Sequence, residues 1–395
     1  MRSPWDGDAA EAARRAREAA APEVSSPSPE PQAGDCAAED AAARAALSLL
    51  ARSGLLGLVV PGTDGSRHLR VAAVCAAREE LAYASGLLDV QFVMQGLGSL
   101  ALWMAGSAGL RGRWLPALAR GEAVAAFALT EPEAGSDAAA LGTRAVRDGG
   151  GYVLDGAKCF ISNAGLADVY TVFARTGEEG SGRKGITAFL VEAAAPGFSV
   201  ASRQALTAPH PIGILSLRGC RVPASARLGE EGAGYALAMG VLDRFRPTVG
   251  ASAAGLARRA LDESLAHCRR RRQFGAPLAD LQAVRFKLAD MALWLDASRL
   301  LVQRAASLLD EAGAAPPAAE APPAARRAAA MAKLYATEAA QRIVDEAVQL
   351  HGGLGVTRGS VVERLYREVR ALRIYEGTSE IQRLVIARSL LKEIA

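Results

Sequence analysis

Aromatic residues make up only 5% of the 395-residue chain, and there are just 4 histidines and 5 cysteines. The cysteines (Cys36, Cys75, Cys159, Cys220, Cys268) lie far apart with no C-x-x-C pair. That spacing argues against both a zinc site and a disulfide framework, and makes a reducing cytoplasm the expected location. His68, His210, His267 and His351 show no H-E-x-x-H or carboxylate spacing, so each is expected to be structural and no metal is expected. A charge excess is lacking too: 46 Lys+Arg against 42 Asp+Glu leaves +4, too little for a dedicated nucleic-acid binder. No uninterrupted apolar run approaches the roughly 20 residues of a membrane helix. Asp6, Asp8 and Glu11 stand where a signal peptide would need basic and then apolar residues. No membrane span is expected.

What is present is aliphatic. Half the residues are hydrophobic and 22% are charged, which excludes a mostly disordered chain and points to helix packing. At roughly 150 residues per domain the length suggests two to three domains. Residues 8–21 are rich in Ala, Arg and Glu, a helix expected to stop at Pro22; the Pro/Ser-rich segment 23–35 is expected to be an extended or mobile connection. Helical patterning resumes at about Ala41 and runs on past the turn at 61–66. Near Gly121 the pattern changes to short β-prone runs at 124–130, 152–156, 168–174, 185–192 and 213–223, as in a sheet or small barrel. From Gly234 helices return. Leu281, Val284, Leu288, Met291, Leu295, Val302 and Leu309 form one stripe of a long bundle helix, and an Ala/Pro loop (311–325) leads to another helix from about Arg326 to Leu350. The expected division is 1–40 (helix and linker), 41–121 (helical), 122–233 (β) and 234–395 (four-helix bundle).

Two patterns do not carry their usual meaning. Gly180 to Gly185 matches G-x-G-x-x-G, but a strand-like run follows it where a dinucleotide site needs a helix, so a hairpin loop is expected. The basic run Arg269 to Arg272 lacks interleaved aromatics. No nucleophile elbow or phosphate-binding Walker loop is present.

Four segments are unusual together. Phe127-Ala-Leu-Thr-Glu-Pro-Glu-Ala-Gly-Ser-Asp137 runs a strand into a turn that could either face a ligand with its N–H groups and hydroxyls or be an ordinary turn capped by Asp137. Lys158-Cys-Phe-Ile-Ser-Asn163 is a strand with an aromatic, a hydroxyl and an amide, alone equally compatible with sheet packing. Arg271-Arg-Gln-Phe-Gly-Ala-Pro-Leu278, with Gln282, interrupts two helices where phosphate and an adenine edge could be held. Gln349-Leu-His-Gly-Gly353 and Ile374-Tyr-Glu-Gly-Thr-Ser-Glu-Ile-Gln382 are glycine-bearing helix termini. In the last, Glu376 follows an apolar pair, and desolvation there would make it a stronger base.

In this order the segments resemble the acyl-CoA dehydrogenase family of flavoproteins across roughly residues 45–395. The resemblance implies a multidomain α+β fold: an N-terminal α-helical domain, a central β-sheet or barrel domain and a C-terminal four-helix bundle. It also implies a homo-oligomer, dimer or tetramer, with FAD shared across a subunit boundary. Phe127, Leu129, Thr130, Gly135 and Ser136 resemble flavin contacts, and Phe160, Ile161 and Ser162 the strand beside the isoalloxazine. Arg271 and Gln273, with Phe274, resemble groups reaching a neighbouring subunit's FAD, Leu281 and Gln282 its adenosine contact, and Gln349, Leu350, Gly352 and Gly353 the opposing partner. Thr378, Ser379 and Glu380 resemble the clamp on the adenosine diphosphate. Ser136, Asp243, Arg246, Gly377 and Arg388 resemble contacts to the thioester and CoA.

The implied reaction is α,β-dehydrogenation of a saturated acyl thioester, with Glu376 taking the α-proton, FAD accepting the β-hydride and an electron-transferring flavoprotein as acceptor. Some members carry the base in an L-D-x-E-R setting; here that stretch is Leu242-Asp-Arg-Phe-Arg246, which favours Glu376 and the short- or medium-chain type. Leu88-Asp-Val-Gln91 lacks the decarboxylating arginine, so no decarboxylation is expected. Phe160 stands for a usual Trp, His267 for a usual Tyr, and Leu206 to Leu215, with Pro209 and Pro211, for a motif of Gly, Ser and Thr. These departures leave two alternatives: a dehydrogenase of an acyl-carrier-protein thioester in secondary metabolism, and a flavin-binding homologue without dehydrogenase activity.

Overall fold

The computed structural model describes residues 5–62, 69–178, 181–313 and 321–393. His68, most of the 61–66 turn, Gly180 and the middle of the 311–325 loop lie outside them. The chain begins with helices α1 (Gly7–Ser25), α2 (Cys36–Arg52), α3 (Val71–Ala84), α4 (Gly86–Ala105) and α5 (Ala108–Ala119). Helix α1 does not stop at Pro22, because proline forfeits only its own N–H and the next turn still closes with the Ser26 N–H donating to the Pro22 carbonyl. Helix α2 starts earlier than its apolar pattern, at Cys36, where the Asp35 side chain accepts from the Ala38 N–H as an N-cap. The connection between them is not left loose: Glu30 forms a bidentate pair with Arg367 at 2.6 and 2.7 Å.

The middle region is one eight-stranded sheet in the order β6-β7-β3-β2-β4-β5-β8, with β1 pairing parallel to β4. Its strands are β1 (Ala125–Ala128), β2 (Arg144–Asp148), β3 (Gly151–Ser162), β4 (Val169–Arg175), β5 (Ile186–Glu192), β6 (Phe198–Arg203), β7 (Ile212–Pro223) and β8 (Arg227–Leu228). The β-prone runs fall on β1, β3, β4, β5 and β7. Strands β2 and β6 carried no such signal because they are short and mostly exposed, with few apolar residues to set a period.

Helix α6 (Gly234–Arg270) then leads through a tight hairpin, β9 (Arg272–Gln273) and β10 (Ala276–Pro277), to α7 (Gln282–Glu311), α8 (Pro323–His351), α9 (Val361–Ala371) and α10 (Ser379–Glu393). Helices α6, α7 and α8 pack on one another, and α9 and α10 close against α8. Met291, Leu295, Val302 and Leu309 of the α7 stripe are buried.

Two helices tie the regions together. Helix α4 is long and apolar enough to cross a membrane by length alone, but 83% of that stretch is buried inside the protein, as in a core helix. It lies so close to β1 that a Cβ at Gly98 would sit 2.5 Å from that of Ala125. Helix α3 is enclosed even at its charged positions, and each charge is paired there. Arg78 holds Asp89 at 2.7 and 2.6 Å, Glu79 meets Arg299 at 2.6 Å, and Glu80 meets Arg258 at 2.7 Å. Asp89 also accepts from Ser252, and Arg78 donates to Thr248, so one buried cluster spans α3, α4 and α6. Replacing one partner of such a pair leaves an uncompensated buried charge. Asp89→Ala is therefore expected to cost about 3–5 kcal/mol in urea-melt stability, and a loss below 1 kcal/mol would show the pair to be dispensable.

Candidate active site

The loop between α9 and α10 carries Glu376 and Gly377 in consecutive left-handed conformations, φ 53° and 92°. Such a backbone persists only when its surroundings hold it. Here they do: fully buried Lys333 of α8 donates to the Gly377 carbonyl at 2.8 Å, and fully buried Gln382 of α10 donates to the Gly377 and Glu376 carbonyls at 2.8 and 3.3 Å. A Cβ at Gly377 would meet Gln382 Nε2 at 2.6 Å, so glycine is required there for space as well as for φ.

The Glu376 residue keeps some exposed surface, yet its Oε2 is enclosed and has no hydrogen-bond partner. Burial pushes its carboxyl up to about 6, against the pull of the positive charges of Arg78, Lys333 and Arg246. Burial drives the hydroxyl of the neighbouring Tyr375 well above its ordinary range, against the Arg78 charge. Arg246 is buried and ion-paired to Asp243 on the same helix. Lys333 has no carboxylate within ion-pair distance among the described residues, and burial lowers its ammonium to about 8. Between about pH 6 and 8 an enclosed carboxylate thus coexists with an enclosed ammonium. Phe245, at the alternative base position, is fully buried against α4, where a Cβ at Gly96 would touch its ring, so no acid-base group sits there.

A second part of the site lies on the sheet. The turn after β1 is anchored by fully buried Lys158, which donates to the Leu129 carbonyl at 3.2 Å and to Glu131 at 2.6 Å; Glu131 in turn accepts from the Gly142 and Thr143 N–H groups. The Cys159 N–H donates to the Thr130 carbonyl, joining the Phe127–Asp137 and Lys158–Asn163 segments side by side. The β3–β7 register slips between Lys158 and Ile161. In that bulge Phe160 adopts φ 54° and turns its ring outward, 58% exposed. Phe127 is half-buried against Phe173, and Gly135 and Ser136 are exposed. Ile161 points into the sheet core, so only its backbone can meet a ligand.

The third part is the α6–α7 hairpin, where Phe274 projects at φ 53° with 93% of its surface exposed beside exposed Arg271 and Gln273. The His267 and His351 rings stack with centroids 4.3 Å apart, bringing the hairpin to the Gln349–Gly353 end of α8. Leu281 is half-buried and Gln282 exposed. Leu350 belongs to the core, and only its backbone is available. Ser379 is committed internally, donating to Glu338 at 2.6 Å, whereas Thr378 Oγ1 only accepts from the Ile381 N–H and keeps its own proton. Half-buried Thr378 and exposed Glu380 are therefore both able to meet a ligand.

Of the expected substrate contacts, Arg246 and Gly377 are brought to Glu376, with Asp243 behind Arg246. Ser136 and Arg388 are exposed, and among the described residues no hydrogen bond joins either to the loop. No hydrogen bond joins the hairpin set to the sheet set either. A bound flavin nucleotide fits these surfaces: a Cβ at Gly135, Gly275, Gly352 or Gly353 would stand in open space, and Phe160 and Phe274 offer uncovered ring faces. Reasoning from sequence missed Arg78 and Lys333, and it gave Gln382, within the segment it singled out, no role of its own. The available signal for Lys333 was a lone cation within an otherwise apolar helical run; Arg78, followed by Glu79 and Glu80, had none.

Comparison with known proteins gives the family. Family profiles described as acyl-CoA dehydrogenase, N-terminal, middle and C-terminal domain match residues 10–122, 126–218 and 232–391. Cyclohexane-1-carbonyl-CoA dehydrogenase of Geobacter metallireducens is 40% identical over 352 residues, 88% of this chain and 90% of that protein. Butyryl-CoA dehydrogenase of Megasphaera elsdenii superposes with a TM-score of 0.86 at 32% identity, covering 99% of this chain and 100% of the other. A glutaryl-CoA dehydrogenase of Mycobacterium smegmatis, solved in complex with FADH2, gives 0.84 at 29% identity, covering 99% and 96%.

The electrostatics of the loop can be read directly. Removing the Lys333 charge by Lys333→Met is expected to raise the Glu376 titration above about 6, by on the order of half a pH unit to one unit. Carboxyl-selective infrared titration measures it; an unchanged midpoint would show that the ammonium does not act on the carboxylate.

Proposed function

The chain belongs to the acyl-CoA dehydrogenase family, an FAD-dependent family of enzymes, and from that premise we propose that it converts a saturated acyl-CoA to its trans-2-enoyl thioester with Glu376 as the base. The observation that supports this reading is the enclosed, unpartnered Oε2 of Glu376, with its carboxyl raised to about 6. At neutral pH that group is mostly ionised, with its enclosed oxygen free to accept a proton. An α C–H is a far weaker acid than a carboxylic acid, so the site must stabilise the charge that develops on the thioester. The buried cations Arg78, Lys333 and Arg246 supply a fixed positive field, and hydrogen bonds from a preorganised backbone are worth several kcal/mol as an order of magnitude. Bound FAD supplies the acceptor for the β-hydride. Phe127 to Ser136 and Phe160 to Ser162 would border the flavin ring, and Arg271 to Phe274, Gln282, Gln349 to Gly353 and Glu380 would hold its nucleotide part.

The electron acceptor in this reading is an electron-transferring flavoprotein, and the cytoplasm is the compartment, where the five unpaired cysteines stay reduced. The holoenzyme is a homo-oligomer. Phe286, Leu293 and Leu300 recur at seven-residue steps on the outside of α7 with 61%, 65% and 66% of their surface exposed, a stripe that a second copy would cover.

Glu376→Gln is expected to retain bound FAD and to lose anaerobic flavin bleaching by acyl-CoA, by at least 10³-fold in rate as an order of magnitude. A variant that bleaches normally would refute the base. Matched CoA and carrier-protein thioesters in the same stopped-flow assay separate the two substrate forms, and bleaching by the carrier form alone would overturn the CoA reading. Light scattering is expected to give a multiple of 41.0 kDa; a mass of one chain would refute the shared site.

A further inference from the structure

The end of α6 and the hairpin after it concentrate positive charge with nothing set against it. Arg269, Arg270, Arg271 and Arg272 are all exposed, and among the described residues none has a carboxylate within ion-pair distance. The carboxylates nearest in the chain are taken by other partners: Glu263 by Arg259 at 2.9 Å and Asp280 by Arg285 at 3.2 Å. Glu346, a turn before the end of α8, is taken by Lys287. Beside this cluster two imidazoles lie face to face, His267 of α6 on His351 of α8, with centroids 4.3 Å apart and planes 27° from parallel. His351 Nδ1 lies 2.7 Å from the Ala347 carbonyl, and a carbonyl only accepts, so Nδ1 carries a proton and Nε2 is turned away from the helix. Neither nitrogen of His267 is hydrogen-bonded to a protein group among the described residues, and both rings keep some exposed surface.

Two charged rings in such a stack would repel, so the pair holds at most one extra proton. In the protein alone even that one is disfavoured at His267. Burial lowers its titration below the ordinary histidine range, and His351, Arg270 and Arg271 push in the same direction. Every charged group acting on the ring is cationic. An anion laid against Arg271 would reverse the balance, offsetting the guanidinium charges that expel the proton and attracting the proton itself. A diphosphate diester is such an anion, fully ionised and with no titration of its own near neutral pH.

We propose that His267 belongs to the cofactor's phosphate site and takes up a proton from solvent as the diphosphate of FAD settles beside it, so that FAD and a proton are bound together. This rests on the reading above that Arg271 to Phe274 and Gln349 to Gly353 hold the nucleotide part of FAD. The backbone at the foot of the stack is open to such a group: Gly352, at φ 60°, and Gly353 follow His351 directly, and a Cβ on either would meet nothing. The sign of the linkage follows. The bound form holds more protons than the free form, so FAD affinity is highest at the acidic end and falls as pH rises from the free to the bound titration of His267. Raising that titration by about one pH unit corresponds to about tenfold in affinity across the range.

The test is calorimetric titration of FAD into the flavin-free full-length chain at about neutral pH, in buffers of different ionisation heat, which counts the protons exchanged. The unaltered chain is expected to take up a fraction of a proton per FAD and to bind FAD about tenfold more weakly at about pH 8 than at about pH 6. His267→Phe keeps a ring in the stack and has no site for the proton; it is expected to bind FAD without uptake and with a flat pH dependence. No uptake by the unaltered chain, or equal uptake by the variant, would overturn the proposal. Histidine ring spectra of the unaltered chain test it without mutation: the His267 midpoint rises on adding FAD, and a midpoint that stays or falls refutes it. Failure of FAD to bind at any pH would remove the flavin reading itself, and this one with it.

Discussion

A carboxylate with one oxygen enclosed and without a hydrogen-bond partner is the constraint around which the molecule is arranged. An isolated ionised group in a low-dielectric interior would neutralise itself. Glu376 remains a usable acid-base group because cations arrive from three helices that are distant in sequence: Arg78 from α3, Arg246 from α6 and Lys333 from α8. None can be placed without the packing of α3 against α6 and of α6 against α8. The long helices are thus the frame for a local electric field, and the loop between α9 and α10 is the point at which it acts.

The three cations are not equivalent. Arg78 is paired to Asp89 and Arg246 to Asp243, so part of each field is offset at the loop, while Arg78 still exerts the strongest cationic pull on Glu376. Lys333 spends its hydrogen bond on a neutral carbonyl, that of Gly377, and carries an uncompensated charge. Its burial depresses its own titration while its field lowers that of Glu376, so the two oppositely charged forms persist together over about pH 6 to 8. Lys333 therefore fixes both the shape of the loop and the ionisation of the base, and a mere shape-holder such as glutamine could do only the first.

The order of helices, strands and helices was legible because each region writes its own period, 3.6 or 2, into the apolar residues. Glu376 was legible because an apolar pair before it and glycine after it mark a partly dry turn. What escaped is long-range. Arg78 meets Thr248 across 170 positions and Lys333 meets Gly377 across 44, and charges on a helix read locally as surface, Arg78 all the more beside Glu79 and Glu80. The Pro22 boundary failed for a different reason: local rules count the proline's lost hydrogen bond, whereas α1 is held to Ser25 by packing along α3. Thr378 and Ser379 also hold the start of the last helix, through the Ile381 N–H and Glu338, a local duty that the sequence pattern does not display.

Backbone strain supplies an argument independent of resemblance. Among the described residues four non-glycines have positive φ: Phe160, Asn163, Phe274 and Glu376. All four fall in the segments singled out for chemistry, and none in the extensive helical packing between them. Each such conformation costs on the order of 1 kcal/mol or more, so each needs something to hold it. For Glu376 the holders are Lys333 and Gln382; for Phe160 and Asn163 they are Gln204 and Pro211; for Phe274 it is the two-residue ladder of β9 and β10. In the first two cases the holder comes from a different element from the residue it holds. A fold selected only for stability would relax such positions to ordinary φ. Retaining them with dedicated buried partners makes sense when the direction of the Glu376 carboxylate and the Phe160 ring is itself what is being maintained.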